Sequence, residues 1–287
     1  MRRYAYYPGC SLAGLGRSYD ESLRAVFTHL GAELEEIRDW NCCGATSYMS
    51  INEEQAVALA VRNLAIAEAQ GGDVVAPCAA CYLVLSKAQH TMAEYPRVAE
   101  KVQRGLAAAG LQYRGTVALR HPLDVLVTDI GADAVRACVN RPLKGYRVAP
   151  YYGCQVVRPY GAFDDPLRPR TLDRLLGWIG AGVIEYPLRT RCCGGSLMGT
   201  VEEVGLRLTY LLLRAAAERG ANVMATLCPL CEFNLDSYQS RIGRLYGTDV
   251  RLPVLYFTQL MGLAFGIDAG TLGLQRHFVA APELAPA

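Results

Sequence analysis

Short apolar runs alternate with longer amphipathic stretches along almost the whole chain. Residues 3–7 read as a short aromatic strand stopped by Pro8-Gly9. Leu23, Val26, Phe27 and Leu30 recur at helical spacing and predict a helix over 19–30, ended by Gly31. A strand over 32–37 follows, and then a turn at Asn41-Cys42-Cys43-Gly44. Asn52 is a natural cap for a helix over 53–70, with acidic residues in its first turn and Gly71-Gly72 at its end. The pattern continues with a buried strand over 73–76 and helices over 79–95 and from Pro96 to 109. A strand over 116–119 and a helix over 122–130 complete the first half.

The same order then returns. Strands are predicted over 146–152, 182–186, 222–227 and 250–257. Helices are predicted over 171–179, 201–219, from Cys228 onward, and over 258–265. Strands alternating with helices imply βαβ units and parallel sheets, hence an α/β fold of two Rossmann-like halves. The break signal Asn140-Arg141-Pro142 places the boundary between halves, giving 1–142 and 143–270 as domains and 271–287 as a tail with an Ala/Pro-rich end.

The repeat is sharpest in cysteine. Ten of the eleven cysteines form two sets of five: Cys10, Cys42, Cys43, Cys78 and Cys81, then Cys154, Cys192, Cys193, Cys228 and Cys231. Matching cysteines are offset by 144 residues for the first and 150 for the other four, which argues for an internal duplication. Each cysteine element follows a predicted strand, and ligands of open α/β sheets collect at the carboxyl ends of strands.

Composition narrows the chemistry. With 52% hydrophobic and 20% charged residues the 287-residue chain is globular, not disordered. A net charge of +2 calls for no nucleic-acid or anionic-membrane partner. No apolar run reaches the ~18 residues that span a bilayer; the closest, 252–267, is broken by Thr258-Gln259 and glycines. No signal peptide is visible after MRRYAYYPGC, so the expected location is the cytoplasm, where structural disulfides are rare. Cysteines in such numbers then point to metal.

Zinc needs only four ligands, and a Cys-x-x-Cys with a second pair would satisfy it. Five per set exceed that need, and adjacent cysteines suit two metal atoms of one cluster. Iron–sulfur clusters are held by thiolates, usually four. Spacing alone favours iron–sulfur and leaves structural zinc and thiol–disulfide chemistry open. Cys138 stands outside both sets on an apolar helical face and is expected in the core. His29, His90 and His277 lack ligand-like spacing and are expected to be structural or at the surface, whereas His121, after a strand end, is a minor site candidate. Gly14-Leu15-Gly16 lacks the third glycine of a dinucleotide loop, Tyr19 standing in its place.

The two Cys-x(31–37)-Cys-Cys-Gly-x(33)-Cys-x-x-Cys elements resemble the CCG-domain family. From YPGC to PVLYFTQLMGLAFG the chain is similar to the heterodisulfide reductase B-subunit group. The resemblance implies a noncubane [4Fe–4S] cluster on each set of five cysteines, with a disulfide substrate between the clusters and one electron from each. It also implies two partners: a C-subunit-like iron–sulfur protein and an A-subunit-like flavoprotein of the same reductase. The substrate would be a small-molecule disulfide or thiol carrier. Similar CCG proteins serve lactate, glycerol-3-phosphate or succinate/fumarate systems in electron transfer, a second expectation.

Overall fold

The computed structural model describes residues 2–45, 48–160 and 163–282. The first half runs β1 (Arg2–Tyr6), α1 (Gly9–Leu12), α2 (Arg17–His29), β2 (Ala32–Glu36), α3 (Tyr48–Ile51), α4 (Glu53–Gln70), β3 (Val74–Val75), α5 (Ala79–Glu94), α6 (Pro96–Ala108), β4 (Leu119–Arg120), α7 (Pro122–Val125) and α8 (Gly131–Ala137). The second runs β5 (Arg147–Tyr151), α9 (Thr171–Trp178), β6 (Gly182–Val183), α10 (Glu202–Glu218), β7 (Val223–Thr226), α11 (Pro229–Ser237), α12 (Gln239–Tyr246), β8 (Val254–Tyr256) and α13 (Phe257–Phe265).

Each half builds a four-stranded parallel sheet in the same order, β2-β1-β3-β4 and β6-β5-β7-β8. The α/β class and the duplication read from the sequence are therefore present. Central strands of a parallel sheet are covered on both faces and so read as unbroken apolar runs. Val74-Val75 and Val223 to Ala225 are buried accordingly. The second core joins Ala149, Met224 and Val254 of the sheet to Leu212, Leu213 and Leu235 of the helices. The Asn52 side chain caps α4 as expected, accepting the Gln55 N–H at 3.1 Å, and Gly71 at φ +83° ends it.

Local differences have local causes. The helix expected over 122–130 changes at Leu126 into a π-helical turn running to Ile130, before Gly131 opens α8. The strand expected over 116–119 sits later, at Leu119–Arg120, paired with β3. The 250–257 strand shortens to Val254–Tyr256, since Pro253 has no N–H for a ladder and α13 begins at Phe257.

Contacts group the chain into two compact units: Met1–Cys10 with Gly31–Pro122, and Ser11–Leu30 with Leu123–Ala287. Helix α2, although it lies between β1 and β2 in sequence, is built into the second unit. Tyr19 stacks on Tyr256 with centroids 4.3 Å apart, and the Ser22 and Thr258 hydroxyls hydrogen-bond at 2.7 Å. The amphipathic face of α2 required burial but did not name its partner.

The segment after Gly270 is fastened to the second unit through residue 282. Leu272 is fully buried, Arg276 pairs with Glu21, and the Asp236 carboxylate accepts the Phe278 and Val279 amides. The Ala/Pro-rich end, 283–287, lies outside the described residues.

Candidate metal centres

In the first unit, Tyr7-Pro8-Gly9 turns the chain off the end of β1 into Cys10. Gly9 has φ +67°, and a Cβ on it would come within 2.9 Å of Cys81 Sγ, so the backbone approaches the sulfur as only glycine allows. Cys42 and Cys43 lie in the loop after β2. Cys78 is the N-cap residue of α5 and Cys81 sits in its first turn, where the helix dipole favours thiolate. Cys43 and Cys81 Sγ are 3.4 Å apart, and the Gly44 amide donates to Cys42 Sγ.

That loop is held from two sides. The Tyr7 hydroxyl donates to the Asn41 carbonyl at 2.8 Å. Buried Asn63 of α4 takes both backbone groups of Asn41, accepting its N–H at 2.8 Å and donating to its carbonyl at 2.9 Å. The paired cysteines thus start from a fixed point.

The second unit repeats the plan. Gly153, at φ +68°, precedes Cys154 and packs near Cys231 Sγ. The Tyr151 hydroxyl donates to the Arg191 carbonyl at 2.7 Å. Cys193 and Cys231 Sγ are 3.4 Å apart, and the Gly194 and Gly195 amides donate to Cys192 and Cys193 Sγ. Cys228 caps α11. Behind the Cys154 loop, the buried Arg189 guanidinium pairs with Asp173, which also accepts the Tyr152 hydroxyl.

All eleven cysteines are free thiols; Cys10, Cys42 and Cys192 are exposed, and Cys43, Cys78, Cys81, Cys193 and Cys228 are buried. Their electrostatics show that each set is close enough to share protons. The hydrogen bond from Cys81 pulls Cys43 below its usual range, and the same bond holds Cys81 well above. Burial pushes Cys42 up against the pull of the Gly44 amide. Bonds from Cys154 and then Cys193 draw Cys192 down to about 2. The bond to Cys192 raises Cys154 and takes Cys193 up to about 12. Cys231 is raised through Cys193. Sulfurs this close cannot all ionise without a cation among them. A thiophilic metal would replace the protons and supply that charge, so the donor set fits iron–sulfur or zinc.

The remaining candidates fall elsewhere. Cys138 is half-buried at the end of α8 and not in the core as expected; the helix stops there, leaving its last residue at the edge. His121 is fully buried and its Nε2 lies 3.2 Å from the Pro77 carbonyl, on the turn before Cys78. His29 stacks on Phe265, and His90 lies one turn from Glu94. The His277 side chain is only 1% exposed and faces Glu232 and Asp236. Sequence reasoning passed over Asn63, Asn234 and the Arg189–Asp173 pair. The matched position of Arg191 and Asn41 before each Cys-Cys was the available signal.

The family model for the CCG cysteine-rich domain matches residues 4–86 and 148–236. The chain is 32% identical to the 8-methylmenaquinol:fumarate reductase membrane anchor subunit of Wolinella succinogenes, over 99% of both chains. It is 30% identical to a heterodisulfide reductase B-subunit-like protein of Archaeoglobus profundus, over 93% of this chain and 92% of the relative. Identity to the B-subunit of a CoB-CoM heterodisulfide reductase of Methanosarcina acetivorans is 25%, over 97% of this chain and 94% of that one. A hypothetical protein from Helicobacter pylori shares the fold, with TM-score 0.79 and 15% identity. The match covers 98% of this chain and 52% of that structure. Two matched regions, each holding one complete set of five cysteines, show that this chain belongs to the CCG cysteine-rich domain family.

Proposed function

We propose that the chain is the redox subunit of a heterodisulfide reductase-like complex, reducing or forming a small thiol-coenzyme disulfide. Each set of five cysteines holds one noncubane [4Fe–4S] cluster. Cys10, Cys42, Cys43, Cys78 and Cys81 hold the first; Cys154, Cys192, Cys193, Cys228 and Cys231 hold the second. The reading is carried by the gathering of free thiols, twice, at strand ends and helix N-termini. When bound, such clusters take up and release single electrons. The protein's own part is positional. Tyr7 and Tyr151 fix the loops of the paired cysteines, and amides of Gly44, Gly194 and Gly195 offset negative charge on sulfur. Exposed Cys10, Cys42 and Cys192 leave a side of each set open to substrate or to an electron-carrying partner. The partners in this reading are a C-subunit-like iron–sulfur protein and an A-subunit-like flavoprotein. The place of action is the cytoplasm, which keeps cysteines reduced.

A second reading, an electron relay in a quinol:fumarate-type oxidoreductase, is favoured by the full-length 32% identity to the Wolinella protein. That relative is named a membrane anchor, and among the described residues here no helix is long and apolar enough to cross a membrane.

Protein prepared without oxygen should carry about eight iron and about eight sulfide per chain. One or two zinc and no sulfide would instead make the chain a structural zinc protein. Turnover of thiol-coenzyme disulfides with a chemical electron donor supports the enzyme; full cluster content without turnover supports the relay.

A further inference from the structure

One cluster of ionisable groups lies apart from the ten cysteines. Glu232 and Asp236 stand one turn apart on α11, and His277 reaches them from the segment that follows α13. Glu232 is 7% exposed and Asp236 1%, and the His277 side chain is 1% exposed. One ligand atom from each lies within 4.8 Å of the others. His277 Nδ1 is 3.1 Å from Glu232 Oε1 and 3.5 Å from Asp236 Oδ2, yet it has no aligned hydrogen-bond partner. Donors bound to one ion at about 2.0–2.2 Å sit roughly 3.0–3.6 Å apart, from octahedral to tetrahedral geometry.

The surroundings orient all three groups. Gln259 Oε1 accepts the Tyr256 amide at 2.9 Å and its Nε2 donates to the Leu272 carbonyl at 3.0 Å, so its oxygen is the atom that faces His277 Nε2, at 3.0 Å. Nε2 therefore carries a proton, and Nδ1 is the ring atom that faces the carboxylates. The Tyr256 hydroxyl donates to Glu232 Oε2 at 3.1 Å. The Phe278 and Val279 amides donate to Asp236 at 2.7 and 3.0 Å. Outer hydrogen bonds of this kind are what fix ligands around a metal. Once an ion displaces the proton held in this cluster, the two buried carboxylates supply the negative charge that balances it.

We propose that Glu232, Asp236 and His277 bind one divalent transition-metal ion, of the manganese, iron(II) or zinc class that imidazole and carboxylate ligands select. The ion ties the 277–279 segment to α11, the helix that carries Cys231. The site does not depend on what the cysteine sets hold.

The test uses full-length protein, purified without oxygen and stripped on chelating resin, with iron and sulfide measured alongside. Manganese chloride is then added, since thiolates compete poorly for manganese. The free-manganese EPR signal should show one ion bound per chain, with histidine nitrogen coupling to the bound ion and a raised Tm. Asp236→Asn and His277→Gln should each weaken binding at least tenfold. Absence of binding or of nitrogen coupling in the wild type, or undiminished binding in both variants, overturns the site. The wild-type measurements stand even if a variant fails to fold.

Discussion

In the first five-cysteine site, Asn63 of α4 holds the residue before the paired cysteines by its backbone. The matching position in the second unit is Leu213, and the polar brace has moved. There Thr209 donates to the Cys193 carbonyl at 3.0 Å. Asn234 donates to the same carbonyl and to that of Gly195, and approaches Cys193 Sγ at 3.7 Å. Their counterparts in the first unit are Leu59 and Val84. Arg189, buried against Asp173, takes the place of Asp39, whose side chain is 83% exposed and pairs with Arg62. What stays the same is the tyrosine brace, the left-handed glycine and the sulfur spacing. What varies is the charge and the donors behind them. The second site therefore offers sulfur one more N–H donor, the Asn234 amide, which favours the electron-rich state of a cluster.

The largest expected effect tests whether the sites are independent. Cys43→Ser should remove about half of the iron and sulfide, and Cys193→Ser the other half, by metal analysis and EPR; equal loss of both signals would break the comparison. Next comes the buried ion pair. Asp173→Asn strands a buried guanidinium and should cost roughly 3–5 kcal/mol, whereas Asp39→Asn in the first unit should stay within about 0.5 kcal/mol. Thermal unfolding of the two variants side by side decides this. Gly9→Ala and Gly153→Ala both incur about 1–2 kcal/mol for a left-handed residue. Gly9→Ala should be the more damaging, because its Cβ meets Cys81 Sγ at 2.9 Å, against 3.5 Å for Gly153 and Cys231; iron retention on mild heating reads the difference. Asn234→Val should lower the midpoint potential of the second cluster alone in a redox titration, with about 1–3 kcal/mol lost for carbonyls left without donors. The smallest effect is at the helix starts. Asn52→Ala should cost α4 about 1 kcal/mol. Val201→Asn should steady α10, whose N-cap has no side-chain bond, a gain visible as a small rise in Tm.

The periodicity of the chain exposed most of its elements because buried parallel strands and amphipathic helices are written locally. The ten cysteines stood out for a related reason: one residue type recurs at the same spacing in both halves. The braces were not legible, since Asn63, Thr209 and Asn234 occupy ordinary helical positions and act on backbone groups and a sulfur brought near by folding. The His277 cluster hid for the same reason. Glu232 and Asp236 at i and i+4 look like a solvated helix face, and only burial of both shows otherwise. The partner of α2 was out of reach because an apolar stripe records that a helix is covered, not by what.

That lent helix has a consequence for anyone dissecting the protein. Cutting the chain at residue 142 would strand Tyr19, Leu23, Val26 and Phe27 on a fragment without α13, and leave the other fragment with Tyr256 and Thr258 bare. Neither piece is a self-sufficient module, so fragments should aggregate when made apart and regain order when produced together. The second half of the duplication completes its core with a helix supplied by the first.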